Sequence, residues 1–348
     1  MNATVSIAEG GHTPVAAPHP THKFALLLRR EFWEHKGGFF WAPLVAGGIS
    51  LVLTAMALVV AEIAARKALR NGDLRIDGDI VVNGLDLGAL TSRMTPKELH
   101  DLAGGIDLSL LASSSWPLIV LAFVVFFYCL GALYDERKDR SVLFWKSLPV
   151  SDAETVLSKV ASAVLVAPIL AVAAALATML GFLVLVSVAV LAHGGNPLVL
   201  LWGPGSPLTM AAQLLASIPV YALWALPTVG WLMLCSAWAR SKPFLWAIMI
   251  PVFAGIFVTW FDLMHAFNLE SGWFWTNVVG RTLLSVVPGS WFNLARFDHV
   301  DGPAAVRDVV SLSSTYSVLL TPQLWIGVVA GAAMIFGAIR LRRYRDEG

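Results

Sequence analysis

The sequence is short of charge, of cysteine and of every motif that would give it an energy source of its own. Only 14% of its 348 residues are Asp, Glu, Lys or Arg, against about one quarter in soluble domains, and 57% are hydrophobic. With a mean hydropathy of +0.72, that deficit excludes an ordinary water-soluble domain and reads as an integral membrane protein. Lys and Arg number 24 and Asp and Glu 23, so there is no basic excess to hold nucleic acid. The two cysteines, Cys129 and Cys235, each sit in an apolar run. That excludes a disulfide framework and leaves two small hydrophobes in membrane helices. No GxxxxGK(S/T), GxGxxG, HExxH or GxSxG run occurs. P-loop ATP hydrolysis, zinc proteolysis and nucleophile-elbow hydrolysis therefore lack their central residues. Residues 1–22 hold no Lys or Arg and no continuous apolar core, so they form no secretory signal peptide and read as a disordered cytoplasmic tail.

The charge that is present concentrates in residues 135–159, DERKDRSVLFWKSLPVSDAETVLSK, which carry ten formally charged side chains. At roughly 2.5–3.5 kcal/mol for each Arg, Lys or Asp at a bilayer centre, this stretch must face water. Near the N-terminus, residues 23–37 place Phe24, Leu27, Leu28 and Phe32 at helical spacing, with Lys23, Arg30 and Glu34 on another face. That is the pattern of an amphipathic helix lying in the membrane interface.

Apolar runs long enough for a hydrocarbon core of about 30 Å predict an all-α fold with six spans, at about residues 39–61, 115–133, 152–191, 209–237, 244–264 and 324–339. Pro168 is an expected kink, and Pro219, Pro227 and Pro251 interrupt the fourth and fifth spans. Residues 62–113 form an extracytoplasmic insert. Within it LRIDGDIVVNGLDLG alternates like a short hairpin, and Thr95-Pro96-Lys97-Glu98 is a capping box that starts a helix. A second capping box, Ser151-Asp152-Ala153-Glu154, starts the third long helix near Asp152, longer than a bilayer needs. Residues 265–321 read as a re-entrant region, because 273–287 is too short and, at Arg281, too charged for a span. Fifteen of the 24 Lys and Arg flank the tail, the charged stretch, the Arg240 turn and the C-terminus. The positive-inside rule then puts the charged stretch and both termini in the cytoplasm. The six-span domain covers 38–340 and a cytoplasmic tail 341–348.

Three further patterns bear on chemistry. Asp262 and His265 lie one turn apart at the end of the fifth span. The FxxxH run there is similar to intramembrane proteases of the CAAX-processing kind, but the paired glutamates those enzymes need are absent. Asp298, His299 and Asp301 share one short loop, which offers too few fixed ligands for a metal. The tryptophans, Trp33, Trp41, Trp145, Trp202, Trp238, Trp273 and Trp275 among them, cluster near span ends and read as interface anchors.

The charged stretch has a specific internal order. Asp135, Glu136, Arg137 and Arg140 lead to Val142-Leu143-Phe144-Trp145, then to Lys146 and Leu148-Pro149-Val150-Ser151, then to a helix capped through Glu154 with Lys159 about two turns in. That order resembles the cytoplasmic signature of type-2 ATP-binding-cassette (ABC) exporter permeases, in which an acidic-Arg cluster precedes an apolar step, a Leu-Pro-Val-Ser-like turn and a later Lys. The six spans, the interfacial N-terminal helix and the broken segment before the last span are similar too. Two departures stand out. Asp139-Arg140 replaces a glycine usual after the charge cluster, and the loop after the first span is larger than in the simplest members.

The resemblance implies that residues 134–159 form a coupling loop that docks in a groove on a separate P-loop ATPase subunit. The residues it implicates are Asp135, Glu136, Arg137, Arg140, Phe144, Trp145, Lys146, Pro149, Ser151, Glu154 and Lys159. Arg137, Arg140 and Glu136 would position the docking, and Phe144 and Trp145 would anchor the loop at the membrane face. It also implies two ATPase copies, a second permease copy in a homodimer, and ATP and Mg held by the ATPase, with no cofactor, metal or catalytic residue in this chain. The expected function is the membrane subunit of an exporter in the inner membrane, not an enzyme by itself. As mere topology determinants the Arg and Lys would need no interleaved acids. A secondary transporter would need intramembrane charges for ion coupling, which the predicted spans nearly lack away from their ends. An intramembrane enzyme would need the catalytic groups missed above. An apolar path would suit lipids, hydrophobic peptides or antibiotics, and no side chain chooses among them.

Overall fold

A computed structural model describes residues 20–71, 95–140, 150–202, 206–264, 270–292 and 311–344, and every regular element among them is helical. Helix α1 (Pro20–Glu34) leads through a π-helical turn (Gly37–Trp41) into α2 (Ala42–Asn71). Then come α3 (Pro96–Gly131), the short α4 (Tyr134–Lys138), α5 (Asp152–Ala161), a second π turn (Ser162–Val166) and α6 (Ala167–Ala192). A third π turn (Leu198–Trp202) precedes α7 (Pro207–Trp224), α8 (Leu226–Trp238) and α9 (Pro243–Leu263). Helices α10 (Ser271–Phe274) and α11 (Arg281–Leu284) flank a π segment (Trp275–Gly280), and α12 (Leu312–Ser317) leads into α13 (Pro322–Tyr344).

Six helical stretches are long and apolar enough to cross a membrane: Gly37–Lys67, Pro96–Lys138, Asp152–Ala192, Pro207–Trp224, Pro243–Leu263 and Pro322–Tyr344. They fall on the six predicted spans, with three corrections. The fourth, expected over 209–237, is divided into α7 and α8 at Ala225, because Pro227 in the first turn of α8 has no N–H to continue the ladder. The second starts far earlier than residue 115. Its helix opens at the Thr95 capping box, where Glu98 N donates to Thr95 Oγ1 at 3.4 Å and Thr95 N to Glu98 Oε2 at 2.7 Å, and runs 36 residues, about 54 Å. Residues 96–113 thus belong to the same continuous helix as residues 115–131. Leu110 there is buried against Met179 and Leu183 of α6 and Met210 of α7. The sixth helix also runs on to Tyr344, so 341–344 are helical. The predicted hairpin over 74–88 lies outside the described residues. At Pro168 the expected break is accommodated by the π turn at Ser162–Val166, which absorbs the missing donor.

Where helices face one another they bury Val125 and Cys129 of α3, Val156 of α5, Ala171 of α6, Val220 of α7, Leu232 and Met233 of α8 and Ile335 of α13. Both cysteines are free and buried. Where they face outward, as with Val52, Met56 and Val60 on α2 or Phe253, Phe257 and Trp260 on α9, large apolar side chains are exposed. Such surface suits lipid tails and not water.

A close helix crossing joins α8 to α13 and depends on glycine. A Cβ on Gly331 would lie 2.5 Å from the carbonyl oxygen of Leu226, and one on Gly230 would lie 2.5 Å from that of Gly331. Small residues let backbones approach in this way. Gly331→Val is therefore expected to lower stability by about 1–3 kcal/mol, read from denaturant unfolding in detergent. Gly48→Ala, where a Cβ meets nothing within 4 Å, serves as the neutral comparison.

Candidate functional site

The charged end of the bundle gathers α1, α4, the start of α5 and the end of α13. Each reaches it for a local reason. On α1 the apolar stripe continues from the buried Leu27 to position 31, one helical turn on, where the residue is Glu. Helix α4 carries the direction of α3 onward after a turn at 132–133, so Glu136 falls one turn beyond the buried Ala132. Helix α5 opens at Ser151, whose Oγ accepts from Glu154 N at 3.1 Å while Glu154 Oε2 accepts from Ser151 N at 2.9 Å. That cap fixes where the chain turns, and Lys159 follows on the buried face of α5 with Val156 and Val160. Arg342 likewise lies one turn beyond the buried Ala338 of α13.

The charges placed inward by this spacing meet. Lys159 Nζ lies 2.9 Å from Glu31 Oε1 and 3.1 Å from Glu136 Oε1. Glu136 Oε2 accepts from Arg342 Nη1 at 2.6 Å, and Arg342 Nε donates to Asp152 Oδ1 at 3.1 Å. Tyr128 of α3 donates its hydroxyl to Glu31 Oε2 at 2.8 Å, and Arg30 Nη2 stands 3.8 Å from Glu136 Oε1. Three acids and three bases balance, and Glu31 and Lys159 are 1% and 2% exposed. Burial of such groups is tolerated only with every charge partnered. The network ties α1, α3, α4, α5 and α13 into one unit on either side of residues 141–149 in the chain.

Arg137 faces elsewhere. Its Nη2 donates to the carbonyls of Ser236 and Ala239 at 2.6 and 2.9 Å, at the C-terminal end of α8, where the helix dipole favours a cation. The Ser236 hydroxyl completes the joint by accepting from Leu133 N and Tyr134 N at 3.0 and 2.9 Å. Asp135, Asp139 and Arg140 are exposed. Arg140 has φ +56°, a left-handed conformation that glycine adopts without Cβ strain. This is the turn at which the resemblance leads one to expect glycine. Phe144, Trp145, Lys146 and Pro149 lie outside the described residues.

Of this network, sequence reasoning named Glu136 and Lys159 as site residues but missed Glu31, Tyr128, Asp152 and Arg342. The signal available was an ionisable residue at i+4 from the last buried apolar residue of α1 and of α13.

The opposite end holds a smaller joint between α2 and α6. His193 Nε2 is 2.6 Å from Glu62 Oε2, its Nδ1 is 2.7 Å from Ala189 O, and Arg66 Nε donates to Glu62 Oε1 at 2.5 Å. With oxygen acceptors at both ring nitrogens, the Ala189 carbonyl first and the Glu62 carboxylate second raise the His193 pKa above its ordinary 6.5. The tie is therefore fully present below pH 6.5 and is lost as pH rises through the raised value. Amide exchange at residues 189–193 is expected to quicken, after correction for its intrinsic pH dependence, as pH rises above 6.5. The His193→Asn variant should remove that step.

Elsewhere, buried Asp107 on α3 accepts from Ser206 N at 2.9 Å and from Ser206 Oγ at 2.8 Å, at the start of α7. Arg281 stacks on Trp224 at 3.5 Å and reaches Gln323 O at 3.4 Å. Asp262 accepts from Ser271 N at 3.2 Å, while His265, Asp298, His299 and Asp301 lie outside the described residues. No group of three or more His, Cys, Asp or Glu is placed to hold a metal among the described residues. Compared with known proteins, the chain matches no family model, no curated protein and no solved structure.

Proposed function

We propose that the chain is the membrane-spanning subunit of a type-2 ABC exporter, with its charged end in the cytoplasm of an inner-membrane assembly and the loop at 141–149 offered to a separate P-loop ATPase. The observation that carries this reading is how the loop is rooted. On one side it springs from α4 and on the other from α5, and Glu136, Asp152 and Lys159 bind these two roots to α1 and α13. A push on the loop is delivered to α3, α6 and α13 together, because packed and ion-paired elements move as rigid bodies. A passive loop has no need of roots buried in this way.

The reading entails a second copy of this chain, two ATPase copies that bind ATP and Mg, and both termini in the cytoplasm. The ATPase subunits do the hydrolysis, and this chain converts their closure into helix tilting. The apolar outer faces of α2 and α9 supply surface for lipid and for the second copy. Asp107 gives little support to an ion-coupled carrier, since Ser206 already satisfies both of its oxygens.

Arg140 separates docking from folding, being exposed and outside the buried network. Arg140→Glu is expected to cut co-purification of the ATPase roughly tenfold or more through like-charge contact, with an unchanged unfolding midpoint. Full retention of the ATPase by that variant would remove Arg140 from the docking surface.

A further inference from the structure

A cleft of about 610 Å³ opens at the charged end, between the π turn at Gly37–Trp41 and the last turns of α3 with α4. Its size falls within the usual range of small-molecule sites, roughly 300–1,000 Å³. Its two halves differ in chemistry. Phe39, Phe123, Val124 and Phe127 form an aromatic floor, and Phe123 and Phe127 are 62% and 55% exposed, so they have apolar surface left to cover. Above that floor stand Glu34, Asp135 and Asp139.

The rim is negative. Asp135 folds back along the helix, its Oδ2 lying 2.5 Å from where a Cβ on Gly131 would stand. Arg30 offsets Glu34 at 3.2 Å. Lys159, the one ammonium lining the cleft among the described residues, is 2% exposed and held by Glu31 and Glu136, so it does not neutralise Asp135 and Asp139. The His35 ring is engaged by Phe39 and Tyr128, and its Nδ1 lies 3.2 Å from Glu31 O. A metal ion fits poorly where the floor is aromatic and, among the described residues, no three ligands converge.

We propose that this cleft binds an amphipathic amine. Its ammonium sits at the Asp135 and Asp139 carboxylates and its apolar body lies over Phe123 and Phe127. Charge selects the class: an anionic amphiphile would meet two carboxylates, and a neutral one would leave them unpaired against its head. The aromatic faces add attraction for the cation. A lipid headgroup bearing a primary amine and a free alkylamine share this chemistry. The site belongs to this chain alone, so it stands or falls separately from the exporter reading.

The test uses the full chain in phosphatidylcholine nanodiscs and a dodecylammonium carrying a photoreactive diazirine. Labelling is expected on the peptides holding Phe39, Phe123 and Phe127, to be competed by plain dodecylammonium, and to resist dodecyl sulfate and dodecanol. Asp135→Asn with Asp139→Asn should weaken competition about tenfold or more. Gly37→Leu, placed where a Cβ meets nothing within 4 Å, should block the cleft without changing charge. Suppression of labelling by phosphatidylethanolamine in the disc would assign the site to a lipid amine, and no suppression would assign it to a free one. Equal competition by dodecanol, or labelling spread over the outer faces of α2 and α9, would overturn the proposal.

Discussion

Replacing Lys159 by Met is expected to cost roughly 3–5 kcal/mol of stability, enough to leave much of the protein unfolded in mild detergent. The ammonium contacts Glu31 Oε1 and Glu136 Oε1 together. Without it the Glu31 carboxylate, 1% exposed, keeps the Tyr128 hydroxyl at 2.8 Å and the His35 ring at 3.9 Å but no ammonium or guanidinium within salt-bridge distance among the described residues. An uncompensated buried charge is the expensive outcome, far more than the loss of one favourable contact. The second half of the expectation follows from the same reasoning. Glu31→Leu combined with Lys159→Met removes the orphan and should recover most of the loss, giving a large non-additive coupling in a double-mutant cycle. Equal and additive losses would mean that the two groups do not depend on each other.

Arg137→Ala is expected to destabilise by about 1.5–3 kcal/mol, the usual worth of hydrogen bonds to a charged group, whereas Arg140→Ala should change stability by less than about 0.5 kcal/mol. The two arginines are three residues apart in one charged run but have different roles. Arg137 closes the end of α8 through the carbonyls of Ser236 and Ala239, while Arg140 is exposed at the root of the loop. Unfolding midpoints of the two purified variants separate them. A charge reversal at both positions together would confuse a broken joint with a lost docking contact.

That contrast shows what was legible in the sequence. Composition and apolar run length place all six spanning helices, because hydrophobic length is a local property. Both capping boxes are local too, and Thr95 and Ser151 form them as their spacing requires. The buried network is not local. Glu31 and Lys159 are separated by 128 residues and Glu136 and Arg342 by 206, so no window along the chain contains both partners. The helical spacing that makes α1 amphipathic also puts Glu31 on its buried side, but of the pair only Lys159 stands out in the sequence, through its place two turns after the second capping box. The division at Ala225 was visible only as Pro219 and Pro227, since two prolines mark an interrupted span without saying which one breaks it. Arg140 presents the reverse case. Its departure from the glycine of the resembling family acquires a physical meaning only once its backbone is seen to be left-handed.

The central claim is that the loop at 141–149, rooted in a buried ion network, receives an ATPase. It is tested most directly by recovering the tagged chain from its native membranes beside a variant whose residues 141–149 are replaced by a glycine-serine linker of equal length, with Glu136, Arg137 and Lys159 kept. The expected result is a P-loop ATPase retained by the native chain and lost from the linker variant, while both unfold at the same midpoint. An ATPase held equally by both, or none held by the native chain, would contradict it.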